Sequence, residues 1–203
     1  YIVADASGLN ANGWTGLTVS AWVLMKGYTS YGGVLGRGQV TGSVGGGWSL
    51  RLGGDYGYWT GAQARMYTNA NNKTVLLYSN GEFSMYGTPP HPALNEWRHF
   101  VQTYDGKSVR IYIDGVLNTN LVVSQSVIPL WDDPSTKLVM GNHATTPMIG
   151  WSDAFLNGQI DEVKIYDRCL SSSEIAAIES GFSTGMVMFV VSGSPAAYGV
   201  PQD

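Results

Sequence analysis

Residues 97–115 read WRHFVQTYDGKSVRIYIDG. Two runs of alternating apolar and polar residues flank Asp105-Gly106, and a second Asp-Gly pair, Asp114-Gly115, closes the segment. Alternation at period two marks a strand with one buried face. An Asp-Gly pair tolerates the positive backbone angles of a tight reversal. The segment therefore predicts an antiparallel hairpin. Val109, Ile111 and Ile113 should face one way, and Arg110, Tyr112 and Asp114 the other.

The same pattern extends in both directions. Leu17–Met25, Gly47–Leu52, Ala64–Tyr67, Thr74–Tyr78, Leu138–Met140 and Gln159–Tyr166 each read as a strand, with turn signals at Gly32-Gly33, Gly53-Gly54 and Asn80-Gly81. Many short strands with almost no helix predict an all-β sandwich or barrel. One helix stands out at Ser172–Ser180. Ser171 and Glu174 form a capping box ahead of it, Ile175 and Ile178 with Ala176 give it an apolar stripe, and Gly181 ends it. The apolar run Met186, Val187, Met188, Phe189, Val190 and Val191 reads as an extra terminal strand. The sandwich is thus expected over residues 1–192, with a loop-like tail over 193–203.

Composition narrows the function classes. At 203 residues the chain is long enough for one all-β domain with a full core. Charged residues make up 13%, against about a quarter in a typical domain, which suits a surface outside the cell. A net charge of −4 with no basic cluster argues against nucleic acid. The single cysteine, Cys169, excludes an internal disulfide and reads as a small buried hydrophobe. No apolar run is long enough to span a membrane. The chain starts at Tyr1, which is compatible with a removed leader and with a piece of a longer protein.

Several motifs fall in order along the chain. Tyr1-Ile2-Val3 is followed by Leu17-Thr18-Val19-Ser20-Ala21-Trp22-Val23, then by Asn95-Glu96-Trp97-Arg98-His99-Phe100-Val101 and Tyr112-Ile113-Asp114-Gly115. Gly158-Gln159-Ile160-Asp161-Glu162-Val163-Lys164-Ile165-Tyr166 and Leu170-Ser171 with Glu174-Ile175 complete the set. From Tyr1 to about Ile178 the chain resembles the laminin-G-like jelly rolls of the concanavalin A-like lectin/glucanase superfamily. The resemblance implies two antiparallel sheets packed face to face, often with a structural calcium. It places Trp22 in the core and makes Asp161 the first candidate calcium ligand, with Asp153, Asn157 and Asp5 as weaker companions. The alternative for Asp161 is a carboxylate that accepts turn or side-chain hydrogen bonds. The family usually opens with an earlier strand, and residues 186–191 are an addition to its usual ending. That apolar strand is expected to fill the vacant edge, in its own chain or in a neighbouring subunit.

Hydrolases on this fold set two carboxylates roughly 5–9 Å apart. Their Glu-x-Asp-x-Glu motif is absent, and Asp161 and Glu162, as consecutive strand residues, are expected on opposite faces. Lyase-type residues do occur in the 97–115 hairpin: Arg98, His99, Gln102, Tyr104, Arg110 and Tyr112. His99 nevertheless reads as a hydrogen-bonded sheet residue, because the Trp97/His99 pair matches a motif found in non-enzymes. Sugar stacking needs exposed aromatics beside polar groups. The Gly-rich stretch with Asp55, Tyr56, Tyr58 and Trp59 offers these, as do Trp131 with Asp132, and Trp151. The same residues suit a subunit interface or a cap over the core. The expected function is a non-catalytic extracellular or cell-surface binding or adhesion module for glycan or protein. An extracellular filament subunit joined by its terminal strand is the alternative, and a polysaccharide lyase or hydrolase the third reading.

Overall fold

The computed structural model describes residues 1–5, 7–27, 32–38, 46–52, 61–68, 73–80, 94–134, 136–142, 155–181, 189–192 and 196–198, with backbone alone at 7, 38, 73, 189–192 and 196–198. Thirteen strands are described: β1 (Ile2–Ala4), β2 (Leu17–Met25), β3 (Gly32–Gly38), β4 (Gly47–Leu52), β5 (Ala62–Thr68), β6 (Lys73–Tyr78), β7 (Trp97–Tyr104), β8 (Ser108–Ile113), β9 (Val116–Val122), β10 (Leu138–Met140), β11 (Gly158–Tyr166), β12 (Phe189–Ser192) and β13 (Ala196–Tyr198). One helix, α1 (Ser172–Ser180), follows β11. The strands form a six-stranded sheet, β1-β10-β3-β4-β5-β6, and a seven-stranded sheet, β13-β12-β11-β2-β7-β8-β9.

Period two explains why the sheets stack. In β2 the odd positions Leu17, Val19, Ala21, Val23 and Met25 enter the core. From the other sheet Trp48, Leu50, Leu52, Ala64, Met66, Val75 and Leu77 enter the same cluster. Each fully buried side chain of the larger kinds contributes about 1.5–3 kcal/mol. Gly158 opens β11 because nothing larger fits there: a Cβ would stand 2.2 Å from the Leu24 carbonyl oxygen.

The 97–115 hairpin forms with the expected faces. Val109, Ile111 and Ile113 join the core, while Tyr112 packs with Val101, Leu170 and Ile175 beneath α1 on the outer face. The two Asp-Gly pairs turn differently. Asp114 and Gly115 both have positive φ, 49° and 74°, as a two-residue hairpin turn requires. At the first turn only Gly106 does, at 83°, and the Asp105 carboxylate instead accepts the N–H groups of Lys107 and Ser108. The capping box of α1 is complete, with the Ser171 hydroxyl accepting from the Glu174 N–H and the Glu174 carboxylate from the Ser171 N–H.

Five expectations need correction. Gly32-Gly33 is not a turn but the start of β3, because its pairing with Leu52 and Arg51 outweighs the local preference of glycine. The tail 193–203 holds β13, antiparallel to β12, where backbone pairing takes in three residues that show no alternation. The seven-stranded sheet is not wholly antiparallel, since β12 runs parallel to β11. Trp22 is buried, but on the outer face of its sheet, opposite to Val19, Ala21 and Val23. Asp161 and Glu162 do not simply alternate. A bulge lies between Asp161 and Lys164, and Glu162 takes φ 49°.

Candidate functional site

Two polar clusters lie on the outer faces of the sheets. The first follows from alternation in β4 and β5. Leu50, Ala64 and Met66 point into the core, so Ser49, Arg51, Gln63, Arg65 and Tyr67 occupy the opposite face. Antiparallel register sets Ser49 across from Arg65 and Arg51 across from Gln63. On one side β6 places Leu76 beside Arg65 and Tyr78 beside Gln63. On the other side β3 offers only glycine, Gly36 opposite Ser49 and Gly33 opposite Arg51. Glycine at such positions lets another group come close to the sheet. The array is buried at β4 and more open toward β6, where Leu76 is 38% exposed.

The hydrogen bonding of this array is one-sided. Arg51 Nε donates to Gln63 Oε1, which turns the amide so that Nε2 is left as a donor. Gln63 is fully buried, and its Nε2 meets no acceptor. Ser49 Oγ and Arg65 Nε are likewise buried without a partner among the described residues. The Arg65 guanidinium lies 5.7 Å from the Tyr67 ring centroid and reaches the Tyr67 hydroxyl at 3.4 Å. A buried donor left without an acceptor costs about 1–3 kcal/mol. Three such groups lie in this patch, and His99 Nδ1, the Gln102 amide and Thr103 Oγ1 on the seven-stranded sheet lack partners among the described residues as well.

The second cluster lies on the outer face of the seven-stranded sheet. Ser20 and Trp22 come from β2, His99 from β7, and Asp161, Glu162 and Lys164 from β11. Ser20 Oγ lies 2.7 Å from His99 Nε2, and Trp22 stacks on the imidazole at 5.1 Å. Burial lowers the His99 pKa from the usual 6.5 to about 4, with the Lys164 ammonium as a second cause. Lys164 Nζ sits 2.8 Å from Glu162 Oε2, and Asp161 Oδ1 accepts the Glu162 N–H. The bulge therefore brings Glu162 to the face that carries Lys164. There its charge is already matched.

With the geometry in view, the comparisons can be read. The model of the concanavalin A-like lectin/glucanases superfamily matches residues 1–176. The chain belongs to that superfamily. Solved structures of the fold agree at low identity. A heptameric SAP-like pentraxin from Limulus polyphemus superposes with TM-score 0.56 at 10% identity, covering 84% of this chain and 72% of its own. Domain 4 of AbnA, an extracellular arabinanase of Geobacillus stearothermophilus, in complex with arabinotriose, gives 0.54 at 18%, covering 85% and 69%. A Bacteroides ovatus protein described as carbohydrate-binding gives 0.58 at 16%, covering 86% of this chain but 42% of its own. No curated protein matches the chain at the sequence level.

Within this concanavalin A-like frame the expected site residues scatter. Asp55, Tyr56, Tyr58, Trp59, Trp151 and Asp153 lie outside the described residues, as do Met186, Val187 and Met188. Phe189, Val190 and Val191 fall in β12, which pairs with β11 of the same chain. Trp131 is half-buried where the chain is tied to both β4 and β5: its carbonyl accepts from Gly47 N–H and its N–H donates to the Tyr67 carbonyl. Asp132 is not a ligand-facing carboxylate. It is buried and accepts from Arg37 Nε at 2.7 Å, from the Ala11 N–H at 2.9 Å and from Thr136 Oγ1 at 3.2 Å. Cys169 is half-buried, and burial pushes its thiol pKa up.

Of the expected calcium ligands, Asp161 and Asn157 are among the described residues and Asp153 is not. Calcium takes six to eight oxygens. Asp161 Oδ1 already accepts a backbone N–H, and the Asn157 carbonyl accepts the Lys26 N–H. Among the described residues no three acidic, histidine or cysteine side chains gather around a common point. The first cluster was not anticipated as a site, and of the second only Asp161 and His99 were weighed as site residues. The signal for the first was present, as arginines at the same strand phase in SLRL and AQARMYT, but strand pairing was needed to join them.

Proposed function

We propose that this chain is a non-catalytic carbohydrate-binding module that works outside the cell or at its surface. The observation that carries this reading is the polar face of β4 and β5, with Ser49 and Gln63 buried, Arg65 half-buried, and a polar atom of each unpartnered among the described residues beside a glycine strand. A saccharide supplies many oxygen acceptors and, laid along a flat sheet face, meets several donors at once. Two of the fold's neighbours, the arabinotriose-bound domain and the Bacteroides protein, lend support to binding sugar on this frame. The half-buried Trp131 would add a stacking surface, and Tyr56, Tyr58, Trp59 and Trp151, outside the described residues, are further aromatic candidates.

Catalysis is the weaker reading because the acidic groups that could serve it are occupied. Glu162 is matched by Lys164, Asp161 accepts a backbone N–H, and His99 is 1% exposed. Assembly by exchange of the terminal strand is also weaker, since β12 is engaged within its own chain. Among the described residues no helix is long and apolar enough to cross a membrane.

The test is isothermal titration against a panel of neutral, carboxylated and sulfated polysaccharides, with reducing-end release followed in parallel. Saturable binding to at least one class without release of new ends is expected. Failure to bind any class, or turnover of one, would overturn the reading.

A further inference from the structure

We propose that the array centred on Arg65 is a receptor for an anionic group, the carboxylate or sulfate ester of an acidic polysaccharide. The proposal rests on the carbohydrate-binding reading above and adds the charge and the seat of the ligand.

A guanidinium carries five N–H donors and no acceptor. Gln63 could offer both kinds, but its Oε1 is held by Arg51, so only the Nε2 donor remains. Ser49 Oγ, directly across the strand pair from Arg65, is a further unpartnered group. The hydroxyl of a neutral sugar donates as well as accepts, and on this face only hydroxyl oxygens such as Ser49 Oγ could take its proton, none of them charged. A carboxylate or sulfate only accepts, and a guanidinium binds it in a bidentate, charge-assisted way.

Charge bookkeeping points the same way. Arg37, Arg98, Arg110 and Arg168 each lie within 2.8 Å of a carboxylate oxygen. Arg65 meets no carboxylate among the described residues, although its Nε is buried. The side chains that share its face on β3 to β6 are Ser49, Arg51, Gln63, Tyr67, Thr74, Leu76 and Tyr78, with glycines on β3, and none is acidic. In a chain of net charge −4, Arg65 meets no anion among the described residues of this face. The face opens toward β6, so the anionic group would lodge at Arg65 while the rest of the polymer lies toward Leu76 and Thr74.

Titration calorimetry on the whole chain decides the matter, with polygalacturonate as the carboxylate probe, dextran sulfate as the sulfate probe, and dextran and arabinan as neutral controls. Arg65→Gln should lower affinity for the charged probe at least about tenfold, the loss of one charge-assisted pair. Arg65→Lys should retain part of it, and Ser49→Ala should weaken it to a smaller degree. Melting temperature and near-ultraviolet circular dichroism check each fold. If Arg65→Gln does not fold, Arg65→Lys and Ser49→Ala carry the test. Preference for one probe assigns carboxylate or sulfate. Charged binding that survives all three substitutions overturns the seat. Binding of neutral polymers alone overturns the charge and leaves the carbohydrate reading intact. Binding of nothing overturns both.

Discussion

Replacing Asp132 by alanine should unfold much of this protein's margin of stability without being a ligand-binding defect. Asp132 and Arg37 are each fully buried in their side chains, 2.7 Å apart. The carboxylate also anchors the Ala11 N–H and the Thr136 hydroxyl, so it ties the β1–β2 connection and the 131–137 loop to β3. Alanine would take from the buried guanidinium the charge that Asp132 supplies and leave the Ala11 N–H without this acceptor, while the Thr136 hydroxyl would keep the Asp133 carbonyl. Breaking a buried pair on one side costs about 3–5 kcal/mol. Total stability of a domain is about 5–15 kcal/mol. For a chain of this length each kcal/mol moves the melting temperature by about 2–4 °C, so a fall of roughly 6–20 °C is expected. Urea unfolding followed by tryptophan fluorescence gives the free energy. Asp132→Asn, which keeps the shape and an acceptor, should lose less. Joint replacement of Arg37 by Met and Asp132 by Leu should recover most of the loss, because an apolar pair of similar volume avoids the desolvation cost. A loss under about 1 kcal/mol for the alanine variant would refute the reasoning. So would unchanged stability with weakened glycan binding, which would restore Asp132 to the ligand.

Other substitutions read out separate parts of the fold. His99 binds its proton at about 4 in the folded chain and near 6.5 when unfolded, so stability should be full above pH 6.5 and decline by up to about 3 kcal/mol as pH falls toward 4. In His99→Gln, urea midpoints measured across that window should flatten. Ser171→Ala should remove about 1 kcal/mol by uncapping α1, seen as a lower urea midpoint at unchanged slope. The Arg168 hydrogen bond, with those from Ser171, holds the Glu174 carboxyl at about 2, so its contribution should be full above pH 4.5 and vanish as pH falls through 2. Circular dichroism of Glu174→Gln should lack that step. Gly158→Ala should destabilise at the upper end of about 1–3 kcal/mol, because the obstructing atom is the Leu24 backbone oxygen and no side chain can move aside.

The legible part of this fold is the part that alternation and capping control. The strands at 17–25, 47–52, 97–104 and 138–140 and the helix at 172–180 coincide with their expected bounds, because each buries one face or closes a full capping box. What escaped was set by partners. β3 contains four glycines and has no pattern of its own, and becomes a strand through β4 and β10. β9 is an exposed edge whose apolar residues fall on both faces, so no period marks it. The family resemblance implied that Trp22 sits in the core, yet it belongs to the even positions of β2 with Thr18 and Ser20. Asp132 looked like a loop carboxylate beside a tryptophan, and only the long-range approach of Arg37, 95 residues away, reveals what it does.

The same limit applies to the candidate site, and it bears on function. Sequence order shows Asp161 next to Glu162 and cannot show the bulge that brings Glu162 to Lys164. It shows Arg65 near Gln63 and cannot show that Ser49 lies across from it. Once paired, the two outer faces differ in kind. On the seven-stranded sheet Lys164 answers Glu162 and Ser20 answers His99 Nε2, while His99 Nδ1 and Thr103 Oγ1 meet no partner among the described residues. On the six-stranded sheet an amide, a hydroxyl and a guanidinium nitrogen all lack partners. What separates the faces is charge, since Glu162 balances Lys164 on one and Arg65 meets no carboxylate among the described residues on the other, and the face with the unbalanced arginine is the better side from which to meet an anionic ligand. On this chain that side is the face of β4 and β5.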